Sequence, residues 1–298
     1  MSKRKNKATR LIVAASDIDA DMLYATKFWA PDPFIFLERN GKRTLVLSDL
    51  EIDRGRKQAK ADEFVMFSQL EHKVQGKSKK APPYAKVLAH FLRKRGIRSA
   101  VVPSNFPLGY AQELAANKIR VQATNGLFWP EREAKSEKEI EMIGRALRIT
   151  ETGLKRAIEV LKASKLGAGK RLRWSGKTLT SEMLRAEIDS AILRTGGIPT
   201  GTIVAGGDQA CDPHERGFPT EIRKGRRVGF FHGTGHGLGL EIHEHPRLQR
   251  VTLKERQVLT VEPGLYYPAL GGARQEDVVI VTKSGCRVLS RFPKQLEI

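Results

Sequence analysis

The feature that most constrains this chain is the segment His232–Glu244, in which glycine stands at every second position from 233 to 239. Glycine has no Cβ, so such a run lets the backbone approach a neighbour closely or adopt unusual dihedral angles. Five of the seven histidines fall between positions 214 and 245, and Glu262 and Glu276 follow at strand-like positions. Imidazoles and carboxylates together suit Mn, Co, Zn or Fe. The segment therefore predicts a metal site on a glycine-rich turn.

Two other sequence motifs are excluded in the same segment. A dinucleotide-binding Gly-x-Gly-x-x-Gly pattern fails because positions 238 and 240 are leucines. A His-Glu-x-x-His helix fails because position 247 is arginine.

Composition indicates an ordinary globular chain. With 298 residues, 40% hydrophobic and 29% charged, two domains are expected. No run of 18 apolar residues occurs, so no membrane span is expected, and the basic N-terminus lacks the pattern of a secretory signal. The only cysteines, Cys211 and Cys286, do not form a Cys-x-x-Cys pair. A cytoplasmic location fits this cysteine usage, and we expect Cys286 to be a small buried hydrophobe.

The first domain is predicted at residues 1–127 as an α/β domain, because short strand patterns alternate with helical ones. Asn40-Gly41 lies between two apolar runs and predicts a hairpin, since both residues tolerate positive φ. Predicted strands lie at 11–13, 34–37, 44–47, 64–67, 99–102 and 119–123, and predicted helices at 51–60, 83–95 and 108–117.

The second domain is predicted at residues 128–298. Ser136 and Glu139 form a capping-box pattern that opens a long helix. One face of that helix would be apolar, with Ile140, Ile143, Leu147, Leu154, Ile158 and Leu161. Thr180 and Gly196 would bound a second helix at 181–194. Strands predicted at 202–205, 257–261, 278–281 and 287–289 would form a mostly antiparallel sheet, its last hairpin turning at Ser284-Gly285.

Three motifs of the second domain resemble those of the pita-bread metallopeptidases. They are His232-Gly-Thr-Gly-His-Gly-Leu-Gly-Leu-x-x-His-Glu, then Val261-Glu-Pro-Gly-Leu-Tyr, then Arg274-x-Glu-Asp-x-Val. The chain is most similar to Xaa-Pro aminopeptidases and prolidases, with creatinase and methionine aminopeptidase as more distant relatives. The resemblance covers the whole chain in outline. It implies an α+β fold in which a creatinase-like α/β N-terminal domain precedes a pita-bread catalytic domain.

The same resemblance implies roles for particular residues. His236, Glu262 and Glu276 would be metal ligands. His243 would contact the substrate carbonyl or the tetrahedral intermediate, and His232 would help to bind substrate and move protons.

Two further residues match the family's substrate-side positions. His214 matches a histidine that contacts substrate, and Arg274 would hold carboxylates in place beside the substrate.

The chain departs from the family upstream of His232. The family's metal pair needs two more aspartates between the His214-type and His232-type motifs, yet the 17 residues there contain none. A hairpin, a helix and their connections would need several dozen residues. The sequence therefore predicts an internal deletion, placed most economically between 217 and 218, and at most one ion of Mn, Co or Zn. Asp208 and Asp212 could substitute as ligands, but they precede His214.

These observations predict a metal-dependent Xaa-Pro aminopeptidase or dipeptidase with impaired activity. It would act on proline-containing peptides at the bond before proline, and a homodimer is expected. An alternative is a non-catalytic pita-bread protein that binds nucleic acid or a protein partner, which the net charge of +20 favours. Outside the N-terminal tail and residues 73–80 the basic residues are spread without interleaved aromatics, so nucleic-acid contact would be non-specific. A third interpretation is a defective gene product without a function of its own.

Overall fold

The computed structural model of the protein describes residues 8–212, 229–230, 232–248 and 250–294. The chain divides into two compact units, Met1–Pro130 and Glu131–Ile298. No helix within the described ranges is both long enough and apolar enough to cross a membrane.

Seven α-helices are described. They are α1 (Ala20–Thr26), α2 (Ile52–Gln58), α3 (Phe67–Gln75), α4 (Tyr84–Lys94), α5 (Leu108–Ala116), α6 (Glu137–Ala163) and α7 (Ser181–Arg194).

The described strands of the first unit are β1 (Arg10–Ala14), β2 (Phe34–Arg39), β3 (Lys42–Leu47), β4 (Glu63–Met66), β5 (Ser99–Val102) and β6 (Arg120–Ala123). Those of the second unit are β7 (Lys165–Leu166), β8 (Leu172–Trp174), β9 (Lys177–Thr178), β10 (His236–Gly237), β11 (Glu244–Arg247), β12 (Val258–Val261), β13 (Gly264–Tyr267), β14 (Gly271–Arg274), β15 (Asp277–Thr282) and β16 (Gly285–Val288).

The first unit is built on one six-stranded mixed sheet in the order β4-β3-β2-β1-β5-β6. Successive side chains of a strand point to opposite faces. Leu11 and Val13 accordingly join one apolar cluster, and Ile12 joins the other. Because both faces are covered, the central strands read as continuous apolar runs. At the β2–β3 turn Asn40 and Gly41 both have positive φ, which confirms the predicted hairpin.

The second unit places α6 against a five-stranded antiparallel sheet in the order β11-β10-β12-β15-β16. The capping box is present, since the Ser136 hydroxyl accepts from the Glu139 amide and the Glu139 carboxylate accepts from the Ser136 amide. Ile140 of α6 packs with Val258 and Ile280 of the sheet. Gly153 lets α7 approach, because a Cβ there would lie 2.9 Å from a methyl carbon of Ile188. Thr180 caps α7 as predicted.

Three predictions about the second unit are wrong. Leu154 is 46% exposed while Gly153 and Val160 are buried, because a heptad spacing drifts by about 20° per repeat around a straight helix. Residues 202–205 form no strand, and the described chain offers them no ladder partner. Cys286 is exposed, because β16 is an edge strand of the sheet.

Six shorter features were not predicted. They are the helices α1 and α3, the ribbon β7–β9, the hairpin β13–β14 and the strands β10 and β11.

Candidate metal centre

Strand pairing brings the predicted ligands to one end of the sheet. Val261 of β12 is paired with Asp277 of β15, so Glu262, which follows β12, and Glu276, which precedes β15, are neighbours in the same register. The Glu262 amide donates to the carbonyl of Thr234 at 2.8 Å, which ties this end to the histidine segment. The antiparallel register therefore explains why two glutamates 14 positions apart in the sequence lie side by side.

The alternating glycines allow the histidine segment to lie against its neighbours. A Cβ at Gly235 would stand 1.9 Å from the carbonyl oxygen of Thr260, and one at Gly237 would stand 2.2 Å from that of His245. Both neighbours are backbone atoms, which cannot move aside as the end of a side chain can. The segment therefore requires glycine at these two positions.

His236 is held with one ring nitrogen facing Glu262. Its side chain is 9% exposed, its amide donates to the Thr260 hydroxyl at 3.1 Å, and its Nδ1 lies 3.0 Å from the carbonyl of Gly237. The Nε2 atom then lies 3.5 Å from Oε1 of Glu262. Two of the three predicted ligands are thus close together.

Arg274 lies between the two glutamates. Its guanidinium is 3.6 Å from Oε2 of Glu262 and 3.3 Å from Oε2 of Glu276. Burial raises the pKa of Glu276 above its ordinary value; Arg274 opposes this shift and the Glu262 carboxylate adds to it. The cation that these two carboxylates share in the structure is an arginine of the chain itself.

The described donor set does not fit a metal ion as it stands. Within the described ranges, no group of three His, Cys, Asp or Glu side chains is arranged to hold one. His236 and Glu262 face each other, but both glutamates have turned an oxygen toward Arg274. The residues are near enough to share one end of the sheet, and they are not assembled as ligands.

The remaining predicted site residues lie in two places. The ring of His243 is 4.3 Å from that of His236, centroid to centroid, and is exposed. His232 lies with Tyr266 instead, its Nε2 2.9 Å from the phenol oxygen. Burial raises the pKa of Tyr266, so this phenol stays protonated and can act as a hydrogen-bond donor. Tyr266 was not singled out from the sequence, although it closes the second motif.

A buried ionic cluster supports the same turn. The Glu244 carboxylate accepts from Arg132 at 2.5 Å and from Lys135 at 2.7 Å, and all three side chains are at most 7% exposed. Arg132 also contacts Glu241 at 2.8 Å. Burial alone would raise the pKa of Glu244, but the hydrogen bonds from Lys135, the Glu241 amide and Arg132 outweigh it and hold that pKa below its ordinary value. The carboxylate directly after His243 is therefore fixed in place.

Two predictions fall on the segment 213–228. His214 and the expected deletion between 217 and 218 lie outside the described residues. Of the two substitute aspartates, Asp208 accepts from the Ala269 amide at 2.5 Å, so its carboxylate caps a turn next to β13.

Comparison with known proteins gives the class of this fold and site. Residues 220–283 match the model of metallopeptidase family M24. An Xaa-Pro dipeptidase of Pyrococcus furiosus is 49% identical over 70 residues, which cover 22% of this chain and 20% of that protein. An Xaa-Pro dipeptidase of Pyrococcus horikoshii is 26% identical over 264 residues, which cover 67% of this chain and 75% of that protein. The chain thus spans about a fifth of the first relative and three quarters of the second.

A solved structure extends the match to both units. An Xaa-Pro dipeptidase from Bacillus anthracis superposes with a TM-score of 0.77 at 19% identity, covering 97% of this chain and 94% of that one. This likeness confirms the α+β pita-bread fold. Residues 220–283 thus resemble metallopeptidase family M24, and the chain as a whole is similar in sequence and fold to Xaa-Pro peptidases. Peptidases of family M24 depend on a divalent metal for peptide hydrolysis.

Proposed function

We propose that this chain is an Xaa-Pro peptidase of family M24 in which hydrolysis of the bond before proline is impaired. The observation that carries the proposal is the absence of aspartate from the sequence of residues 215–231, where the family would supply two further metal ligands. Two ions about 3.5 to 4 Å apart need several carboxylates to hold them together. The described chain offers His236 and two glutamates, and the single positive charge of Arg274 is shared between those two carboxylates.

The alignment with the Pyrococcus horikoshii relative supports a missing segment. It runs over 264 positions but includes 67% of 298 residues, which is about 200, so about 64 positions have no counterpart in this chain. That length is what a hairpin, a helix and their connections would require. It agrees with the lack of aspartate between His214 and His232, and it supports a site limited to one ion of Mn, Co or Zn.

The proposal is tested by metal titration on a single purified sample. Thermal unfolding and hydrolysis of an Xaa-Pro peptide are followed together as Mn, Co or Zn is added. Binding of one ion stabilises by about 2.7 kcal/mol at a hundredfold excess over Kd, so a shift without turnover fits a one-ion site. Turnover at about 10 per second, ordinary for an enzyme, would refute the impairment. Glu276→Gln identifies contaminating peptidase, because only activity of this chain would fall.

Arg274→Gln tests the part that the guanidinium plays. Without it the two carboxylates lose their counter-charge, and each added metal should then raise the melting temperature more than in the unaltered protein. Arg287→Gln is the matched control, because Arg287 is an exposed arginine of the same unit that lies in β16, away from the two glutamates. An equal metal response in both variants would contradict the role given to Arg274.

Two further expectations belong to the proposal. The protein is expected in the cytoplasm, since neither Cys211 nor Cys286 forms a disulfide. A homodimer is also expected, and sedimentation of the purified chain tests it.

A further inference from the structure

A basic three-stranded ribbon, formed by β7, β8 and β9, follows the long helix α6. Between positions 160 and 181 the sequence has six lysines or arginines and no acidic residue. They are Lys162, Lys165, Lys170, Arg171, Arg173 and Lys177. The whole chain has 33 acidic residues in 298, so this stretch departs from the average and concentrates positive charge.

The register of the ribbon sorts its side chains onto two faces. Lys165 pairs with Arg173, which pairs with Thr178, so all three lie on one face. Arg171 stands two residues before Arg173 in extended backbone and shares that face. Leu166 and Leu172 pair with each other on the opposite face. We call the face with Lys165, Arg171 and Arg173 the cationic face.

The cationic face is exposed and keeps its charge. Lys165, Arg171 and Arg173 are exposed, and within the described part of the chain none has a carboxylate at ion-pair distance. Arg173 donates to the carbonyl of Gly176 at 2.6 Å, a contact that leaves its charge uncompensated. By contrast, Arg148 and Arg156 on the adjacent helix are ion-paired with glutamates. The ribbon is thus a place where this unit leaves cations unpaired.

The backbone of the ribbon has a defined geometry. Ser175 and Gly176 both have positive φ, the geometry of a tight hairpin turn. The guanidinium of Arg156 in α6 lies 5.9 Å from the ring centroid of Trp174, which connects the ribbon to the helix. Three cations are therefore held in fixed register, which lowers the conformational entropy lost when they bind a partner.

We propose that the cationic face of the ribbon binds the phosphate backbone of a nucleic acid. Arginine forks match phosphate oxygens, and neutralising phosphates releases condensed counterions. A lipid surface would require apolar side chains beside the cations so that both could enter the interface, whereas Leu166 and Leu172 lie on the other face. Because the contacts are with phosphates, binding would not depend on the base sequence. This binding would be a second property of the chain, independent of peptide hydrolysis.

The test measures binding of the full chain to a short fluorescein-labelled DNA duplex of random sequence at salt concentrations from about 50 to 200 mM. In the ribbon variant Lys165, Arg171 and Arg173 are all changed to glutamine. The magnitude of the slope of log K against log salt should fall by about 0.9 for each phosphate that is no longer neutralised, about 2.7 for three. The control variant changes Arg145, Lys283 and Arg287 to glutamine, which removes the same charge from other exposed positions of this unit.

Each outcome decides the proposal. A reduced slope in the ribbon variant, a preserved slope in the control variant and unchanged melting temperatures in both support it. Equal reductions in the two variants would overturn it, because net charge alone would then explain binding. Absence of binding by the unaltered protein at about 50 mM salt would also overturn it. Binding to anionic vesicles or polyglutamate but not to DNA would overturn it too and assign the ribbon to another partner. Glu276→Gln should leave DNA binding unchanged, which separates this result from the peptidase test.

Discussion

Glu244→Gln is expected to destabilise the second unit, because it removes the one carboxylate that two buried cations share. Glutamine keeps the size of the side chain and its carbonyl can still accept one hydrogen bond. It cannot compensate the charges of Arg132 and Lys135, whose side chains are 7% and 6% exposed. Both cations would then remain in a region that water scarcely reaches.

The expected loss of stability depends on the contacts that Arg132 and Lys135 keep in the variant. Removing one partner of a buried ion pair costs about 3–5 kcal/mol. Arg132 would keep Glu241, and Lys135 would keep its hydrogen bond to the Arg132 carbonyl at 2.5 Å, which places the expected loss near 3 kcal/mol. For a unit of this size each kcal/mol lowers the melting temperature by about 2–4 °C. The expected decrease is therefore about 6–12 °C.

Scanning calorimetry of the intact protein is the suitable assay, and the melting temperature should fall in Glu244→Gln. Glu241→Gln is the matched control: it removes another carboxylate from the same Arg132, but its side chain is 57% exposed, so a loss of at most about 1 kcal/mol is expected. If the two variants melt at the same temperature, burial does not set the strength of this cluster.

Three further predictions concern the second unit. The difference in melting temperature between the unaltered protein and Glu244→Gln should be largest above pH 4.5, the ordinary glutamate pKa, and should decrease as the pH falls below it. The pKa of Glu244 in the folded protein is lowered, so its carboxylate loses its charge, and with it this stabilisation, only as the pH approaches that lower pKa. A pH scan of both proteins measures this difference. Ser136→Ala should cost about 1 kcal/mol in urea unfolding through loss of the cap of α6, with Ser284→Ala in an exposed turn as the neutral control. Gly235→Ala should prevent the native pairing near β12, seen as lost amide protection, because its Cβ would overlap the Thr260 carbonyl, whereas Gly233→Ala meets no atom within 4 Å.

The sequence was sufficient for the elements whose signals are local. The turn Asn40-Gly41 and the Ser136 cap each depend on a few adjacent residues, and both are present. The run at 202–205 has strand-like composition but no partner strand in the described chain, and pairing is a property that composition does not encode. The exposure of Leu154 depends on its angular position around the axis of α6, and a seven-residue spacing approximates that position poorly in a straight helix.

The sequence identified residues that the structure places near one another, but it did not give the arrangement of their side chains. The motifs selected His236, Glu262 and Glu276, and the register of β12 with β15 explains why the two glutamates meet. The resemblance also implied that Arg274 holds carboxylates in place, and its guanidinium lies 3.6 Å from Glu262 and 3.3 Å from Glu276. The orientation of these side chains at the sheet end could not be deduced from the sequence. The ribbon was also missed: its cations are separated in sequence by apolar residues, and only the strand register collects Lys165, Arg171 and Arg173 on one face.

The pairing of β10, β12 and β15 has a consequence for how such chains are recognised. The hydrogen bonds that set this register all lie within residues 234–282, and Arg132 and Lys135 support the adjoining turn from upstream. None of these contacts involves the residues between His214 and His232 that the family would use for further ligands. A search for these histidines and glutamates alone would therefore not distinguish chains that lack those ligands from chains that have them.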